Sequence, residues 1–129
     1  MIGISWNFSG DKPIFQQLAD LITLEIISGN YSPGSKLEGV RELALNAGVN
    51  PNTMQRALSE IEATGAVYTK RGDGRYVTED ERKIAELKEK YLKRNAEIFA
   101  SSVKKLNLGR DEILGAVALA IEKEENNRG

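Results

Sequence analysis

Two short helical stretches joined by a single glycine constrain this chain more than any other feature. In residues 40–47 the apolar positions Val40, Leu43, Ala44 and Ala47 recur at helical spacing, so one face is expected to be buried. Gly48 follows where a left-handed residue ends a helix cheaply. Asn50 then stands as the cap of a second helix whose first residue is Pro51, a pairing suited to a helix start. Met54, Ala57, Leu58 and Ile61 give that helix its inward face. Small Ala44 and Ala57 allow a close crossing, with Val49 filling the corner. Asn50, Asn52, Gln55, Arg56 and Ser59 are left pointing outward.

The flanking segments extend this pair. Ile2, Ile4, Trp6 and Phe8 alternate with small or polar residues, as in a short strand or an extended arm packed on one side. Residues 13–28 return to helical spacing through Ile14, Leu18, Leu21, Ile22 and Ile26, with Asp11 as the expected cap and Gly29 and Asn30 as the stop. Pro33 and Gly34 mark a turn. Beyond Thr64 and Gly65, residues 66–70 and 75–78 read as two strands around Gly72-Asp73-Gly74, with Lys70, Arg71 and Arg75 near the tip. Such a ribbon is marginal alone and is expected to lie against the helices.

Composition shifts at Glu79, after which there is no proline. Ile84, Leu87, Tyr91 and Ile98, with Leu92, Phe99, Val103 and Leu106 on the adjoining row, form a stripe along an expected helix of about 28 residues, roughly 40 Å long. Asn107 and Gly109 end it. A last helix opens with Asp111 and Glu112 and turns Ile113, Leu114, Val117, Ala118 and Ile121 inward. The expected fold is mainly α with a small β-ribbon. Residues 1–78 make a winged helix-turn-helix with an N-terminal arm over 1–11, and 79–129 a helical dimerisation region. About 50 residues are too few for an independent core of ordinary stability, so the stripe is expected to pack against a second copy.

The chemistry open to such a chain is narrow. Cysteine and histidine are both absent, which removes the thiolate nucleophile, the commonest general base and the usual zinc ligands. No metal, cofactor or enzymatic activity is expected, and Glu60 and Glu62 diverge on a helix rather than converge on a substrate. The N-terminal residues lack a signal-peptide pattern and no apolar run reaches a membrane span, so a cytoplasmic protein is expected. Tyr91, Phe99 and residues 116–120 offer material for a small-molecule effector cleft between subunits, but an aromatic stripe at helical spacing is ordinarily core.

A helix, a tight turn and a second helix with an amide-rich face match the shape of the DNA major groove. Asn and Gln pair bidentately with adenine and Arg with guanine, so Asn52, Gln55 and Arg56 suit the reading of base edges. Lys70, Arg71 and Arg75 at the ribbon tip suit phosphates. Residues 1–78 carry seven basic and eight acidic side chains, which is no basic signature. Arg41, Arg56, Lys70, Arg71 and Arg75 must therefore be gathered on one face. The neutral balance leaves a second function in play, a protein-interaction module on the same scaffold. An ion pair of Arg56 with Glu60 or Glu62 is the structural alternative for that arginine.

The run Pro13-Ile14-Phe15-Gln16-Gln17-Leu18, then Gly29, Pro33-Gly34-Ser35-Lys36-Leu37, Arg41-Glu42-Leu43-Ala44, Gly48-Val49-Asn50-Pro51-Asn52-Thr53 and Gly72-Asp73-Gly74 resembles the GntR family of bacterial transcription regulators. The short helical C-terminal part is similar to that of the YtrA subfamily. The resemblance implies a repressor that binds a palindromic operator in double-stranded DNA as a homodimer. It matches Arg41 to a contact with the DNA backbone, Asn50, Asn52, Thr53 and Gln55 to the contact positions of the recognition helix, and Gly72 to the wing; Pro51, Arg56, Ser59, Lys70, Arg71 and Arg75 complete the expected DNA-binding set from their own chemistry and position. Glu38-Gly39 departs from the family's Pro-Ser: a capping hydroxyl is missing, and Glu38 is expected to repel phosphate.

Overall fold

The computed structural model describes residues 3–128. Helix α1 spans Ile14–Ile27, α2 Val40–Ala47 and α3 Pro51–Thr64. Strands β1 (Val67–Lys70) and β2 (Gly74–Val77) follow, then α4 (Glu81–Val103), a 3-10 turn (Lys104–Leu106) and α5 (Arg110–Arg128). The expected architecture, mainly α with a small ribbon, is the one observed.

The chain divides into two compact units, 1–90 and 91–129. In the first, α3 packs on both α1 and α2. Leu18, Ile22 and Ile26 of α1, Leu43 and Ala44 of α2, and Met54, Ala57, Leu58 and Ile61 of α3 share one core with Tyr31, Leu37, Ala66, Val67 and Val77. Gly48 ends α2 at φ 71°, where a Cβ would be strained, and the chain turns directly into α3. This unit runs past the composition change at Glu79 because Leu87, two turns into α4, packs on the same core.

The ribbon is antiparallel, pairing Val67 with Val77, Tyr68 with Tyr76, Thr69 with Arg75 and Lys70 with Gly74. Its other edge is not free. Leu37 N–H donates to the Arg75 carbonyl and Val77 N–H to the Ser35 carbonyl, while Lys36 bridges Tyr76. The stretch read only as a turn thus adds a third extended segment, too short for an alternation pattern to register.

At the N-terminus Ile4 is buried and Trp6 packs on the core, with its Nε1 donating to Asn46 Oδ1 at 2.7 Å. Residues 3–9 therefore form an irregular arm seated through Ile4 and Trp6, with Phe8 exposed, rather than a paired strand; Ile2 lies outside the described residues. Asp11 does not cap α1. Pro13 holds that position without a side-chain bond, and Gln17 reaches back instead, accepting from Ser9 N–H and donating to the Ser9 and Lys12 carbonyls.

Asp80 caps α4 by accepting from Arg82 and Lys83 N–H. The helix is shorter than the stripe suggested, because it tightens into the 3-10 turn and stops at Asn107, φ 54°. Neither α4 nor α5 contains a buried residue. Leu114 and Ile121, expected to face inward, remain about half exposed. No helix among the described residues is long and apolar enough to cross a membrane.

Candidate nucleic-acid interface

Helix α3 begins at Asn50, whose Oδ1 accepts from Asn52 N–H at 2.7 Å, with Pro51 in the first turn. That oxygen therefore caps the helix. With Met54, Ala57, Leu58 and Ile61 turned into the core, the opposite side is occupied by Asn52, Arg56 and Ser59, with Gln55 on its flank. All four are exposed, as is Pro51, while Thr53 is half-buried against the protein. Arg41 is exposed in the first turn of α2.

Arg56 does not pair with Glu60 or Glu62. Its guanidinium carbon lies 3.8 Å from the centre of the Phe15 ring, a cation–π stack between α3 and the start of α1. Glu62 is engaged by the wing, where it accepts from Thr69 Oγ1 at 2.7 Å and from Arg75 Nε at 3.2 Å. Arg75 is thereby turned toward α3 instead of outward from the ribbon tip. The alternation of the ribbon explains this: Thr69 and Arg75 share the face directed at α3, and Tyr68, Lys70 and Tyr76 occupy the other.

On that outer face the Tyr68 and Tyr76 rings stack at 6.0 Å, and Lys70 Nζ lies 4.1 Å from the centre of Tyr76. Tyr76 Oη donates to Asp73, and Lys36 closes a salt bridge to the same carboxylate at 2.9 Å. The two hydrogen bonds, Tyr76's first and then that of Lys36, hold the Asp73 carboxyl below its ordinary range, and Asp73 in turn raises Lys36 and Tyr76. Asp73 is thus balanced locally. Arg71 and Gly72 sit exposed at the tip, Gly72 at φ 78°, and Arg71 pairs with no carboxylate among the described residues.

Glu38 is held elsewhere than expected. Its Oε2 accepts from Tyr31 Oη at 2.6 Å, and Tyr31 is almost wholly buried. Burial first, then the hydrogen bond from Tyr31 to Glu38 and the charges of Glu38, Glu25 and Glu42, push the Tyr31 phenol well above its usual range. The half-buried carboxylate beside the start of α2 is thus turned onto Tyr31. Gly39 caps α2 without a side-chain bond, as its lack of a hydroxyl requires.

Of the residues expected along the C-terminal stripe, Leu87 is engaged by the first unit's core. Ile84 lines a surface groove of about 260 Å³ with Ile26, Ile27 and Pro33. Tyr91 and Val103 are half-buried, and Leu92, Ile98, Phe99 and Leu106 are exposed. The Phe15 platform and the Glu62 latch had no signal in sequence spacing, since each joins residues from different elements, and the Tyr31–Glu38 bond had none because it lies within the irregular connection between α1 and α2.

The sequence profile of the bacterial regulatory proteins of the gntR family matches residues 14–77. The uncharacterised helix-turn-helix regulator YhcF of Bacillus subtilis (strain 168) is 40% identical over 111 residues, covering 86% of this chain and 92% of that one. The chain belongs to the GntR family. As a GntR protein it is a DNA-binding transcriptional regulator, and the family is one of regulators rather than enzymes. The repressor YtrA of the same bacterium is 40% identical over 68 residues, or 53% of this chain and 52% of YtrA. A GntR regulator from Listeria monocytogenes superposes with TM-score 0.80 at 43% identity over 86% of this GntR chain and 97% of its own. The DNA-binding domain of AraR, solved with its operator ORX1, superposes with TM-score 0.53 at 25% identity, covering 58% and 96%.

Proposed function

We propose that this GntR protein is a homodimeric repressor that reads a palindromic operator with α3 in the major groove. The observation that carries the reading is the open polar side of α3: Asn52, Gln55, Arg56 and Ser59 are exposed while the opposite side is sealed in the core. In this reading Asn52, Gln55 and Arg56 meet base edges, and Arg41, Lys70, Arg71 and the Gly72 backbone meet phosphates on either side. Asn50 serves as the helix cap and Arg75 as the tie between wing and helix. A repressor role agrees with the activity in YtrA's name, and the AraR domain supplies a solved example of the same fold on an operator. A cytoplasmic location goes with a chromosomal target.

The dimer rests on the exposed apolar residues Leu92, Ile98, Phe99, Leu106, Leu114 and Ile121, a concentration that a solitary chain would leave in water. A two-fold pair sets two recognition helices about 34 Å apart, one turn of duplex, or a multiple of it. The test is a gel-shift titration on the DNA flanking its own gene, paired with selection from random duplexes and sedimentation of the free protein. A salt-sensitive complex, a palindrome and a dimer are expected. No salt-sensitive complex and no selected palindrome would overturn the reading.

A further inference from the structure

Arg56 and Arg75 are the two arginines in contact with neighbouring side chains around α3, and they are held in opposite ways. Arg75 gives its Nε to Glu62. Arg56 gives away only the face of its guanidinium, stacked at 3.8 Å on Phe15, and it makes no ion pair among the described residues. A stack uses the π-face and leaves the in-plane N–H donors free. Phe15 itself is anchored, since it packs partly buried on the core in the first turn of α1. Gln17 ties that turn to Ser9 and Lys12. A long side chain that ordinarily loses rotamer freedom on binding is therefore already restrained.

We infer that Phe15 is a positioning residue for Arg56: it holds the guanidinium so that its free edge meets a pair of coplanar acceptors in the duplex. Guanine O6 and N7 or two phosphate oxygens present such a pair. The inference rests on the duplex-binding reading above and assigns a role to a residue of α1, outside the helix-turn-helix itself.

The test compares the full chain with Arg56→Lys, Phe15→Leu, Phe15→Tyr and the Arg56→Lys/Phe15→Leu pair. Each is titrated on the duplex the wild type selects and on every single-base-pair variant of it, across a salt series, with thermal melting alongside. Arg56→Lys is expected to lose about five- to a hundredfold in affinity, and Phe15→Leu about two- to fivefold. Phe15→Tyr, which keeps a ring, stays near wild type, and the double variant binds like Arg56→Lys alone. Loss confined to one G·C pair in both single variants identifies guanine as the target. Equal loss on every sequence with a shallower salt slope identifies phosphate.

Phe15→Leu acting as strongly in the Arg56→Lys background as in the wild type overturns the inference, as does Phe15→Leu at wild-type affinity. Should Phe15→Leu fail to fold, the NMR position of Arg56 Hε in the free wild type decides: a ring-current shift supports the stack, and its absence overturns it. A wild type that selects no duplex at all brings down the underlying reading instead. A selective wild type with independent Phe15 and Arg56 effects rejects the role of Phe15 alone.

Discussion

Arg75 Nε sits 3.2 Å from Glu62 Oε1, so the second strand of the wing is tied to the last turn of the recognition helix. The Arg75 side chain is largely covered, and Thr69 shares the same carboxylate. A residue near the turn of the ribbon thus ties the wing to α3. Arg75→Ala and Glu62→Ala are each expected to lower stability by about 1 kcal/mol or less, Glu62→Ala the more because it also releases Thr69. Their effects should not add in a double-mutant cycle followed by urea denaturation. Full additivity would show that the two side chains act independently.

Gln55 and Arg71 should separate base reading from phosphate contact. Gln55→Ala is expected to cost about 1–3 kcal/mol of binding and to relax preference at one base position. Arg71→Ala, at the exposed tip, should weaken all sequences alike and reduce the salt slope by about 1. Titrations on operator variants at several salt concentrations distinguish the two patterns.

Asn50 is expected to behave as a cap. Asn50→Ala should lower stability by about 1 kcal/mol, and Asn50→Ser or Asn50→Asp should recover most of it, because either supplies an acceptor for Asn52 N–H. Melting curves test this directly. Failure of both replacements to recover stability would assign Asn50 some other role.

The Tyr31–Glu38 bond predicts two outcomes. Because Glu38 is turned onto Tyr31, Glu38→Gln should leave DNA affinity within about twofold, apart from the small long-range effect of one charge. Tyr31→Phe should cost about 2 kcal/mol of stability, the range for a hydrogen bond to a charged acceptor. The phenol is raised in the folded chain, so its contribution is complete below the ordinary tyrosine pKa of about 10 and is lost progressively as pH rises above it. Urea midpoints measured from pH 8 to 12 should therefore fall less steeply in Tyr31→Phe than in the wild type. Tyr76, raised by its bond to Asp73, leaves a residual slope.

Charging the C-terminal stripe tests the proposed dimer. Ile98→Glu and Phe99→Glu, both at exposed positions of α4, should shift the protein toward monomer in sedimentation while far-ultraviolet dichroism keeps its helical signature. Unchanged mass in both would place the contact elsewhere.

Periodicity made the helical part of this fold legible. The buried faces of α2 and α3, the Gly48 turn and the Asn50 cap all depend on local spacing and backbone preference, which act within a few residues. The outward set on α3 followed from the same wheel. What escaped depends on tertiary neighbours. Lys36 and Leu37 pair with β2, Pro13 rather than Asp11 takes the cap position of α1 while Gln17 reaches back to Ser9 and Lys12, and Arg75 turns inward because Glu62 waits on its face of the ribbon. The Tyr31–Glu38 bond spans seven residues of the irregular α1–α2 connection, where no helical or strand period announces it.

Trp6 is the chain's single tryptophan, and its indole donates to Asn46 on α2. One intrinsic fluorophore thus stands at the contact between the leading arm and the helix that precedes the turn. Its emission, free of any competing indole, offers a label-free optical gauge of whether that arm stays seated when α2 and α3 engage a target.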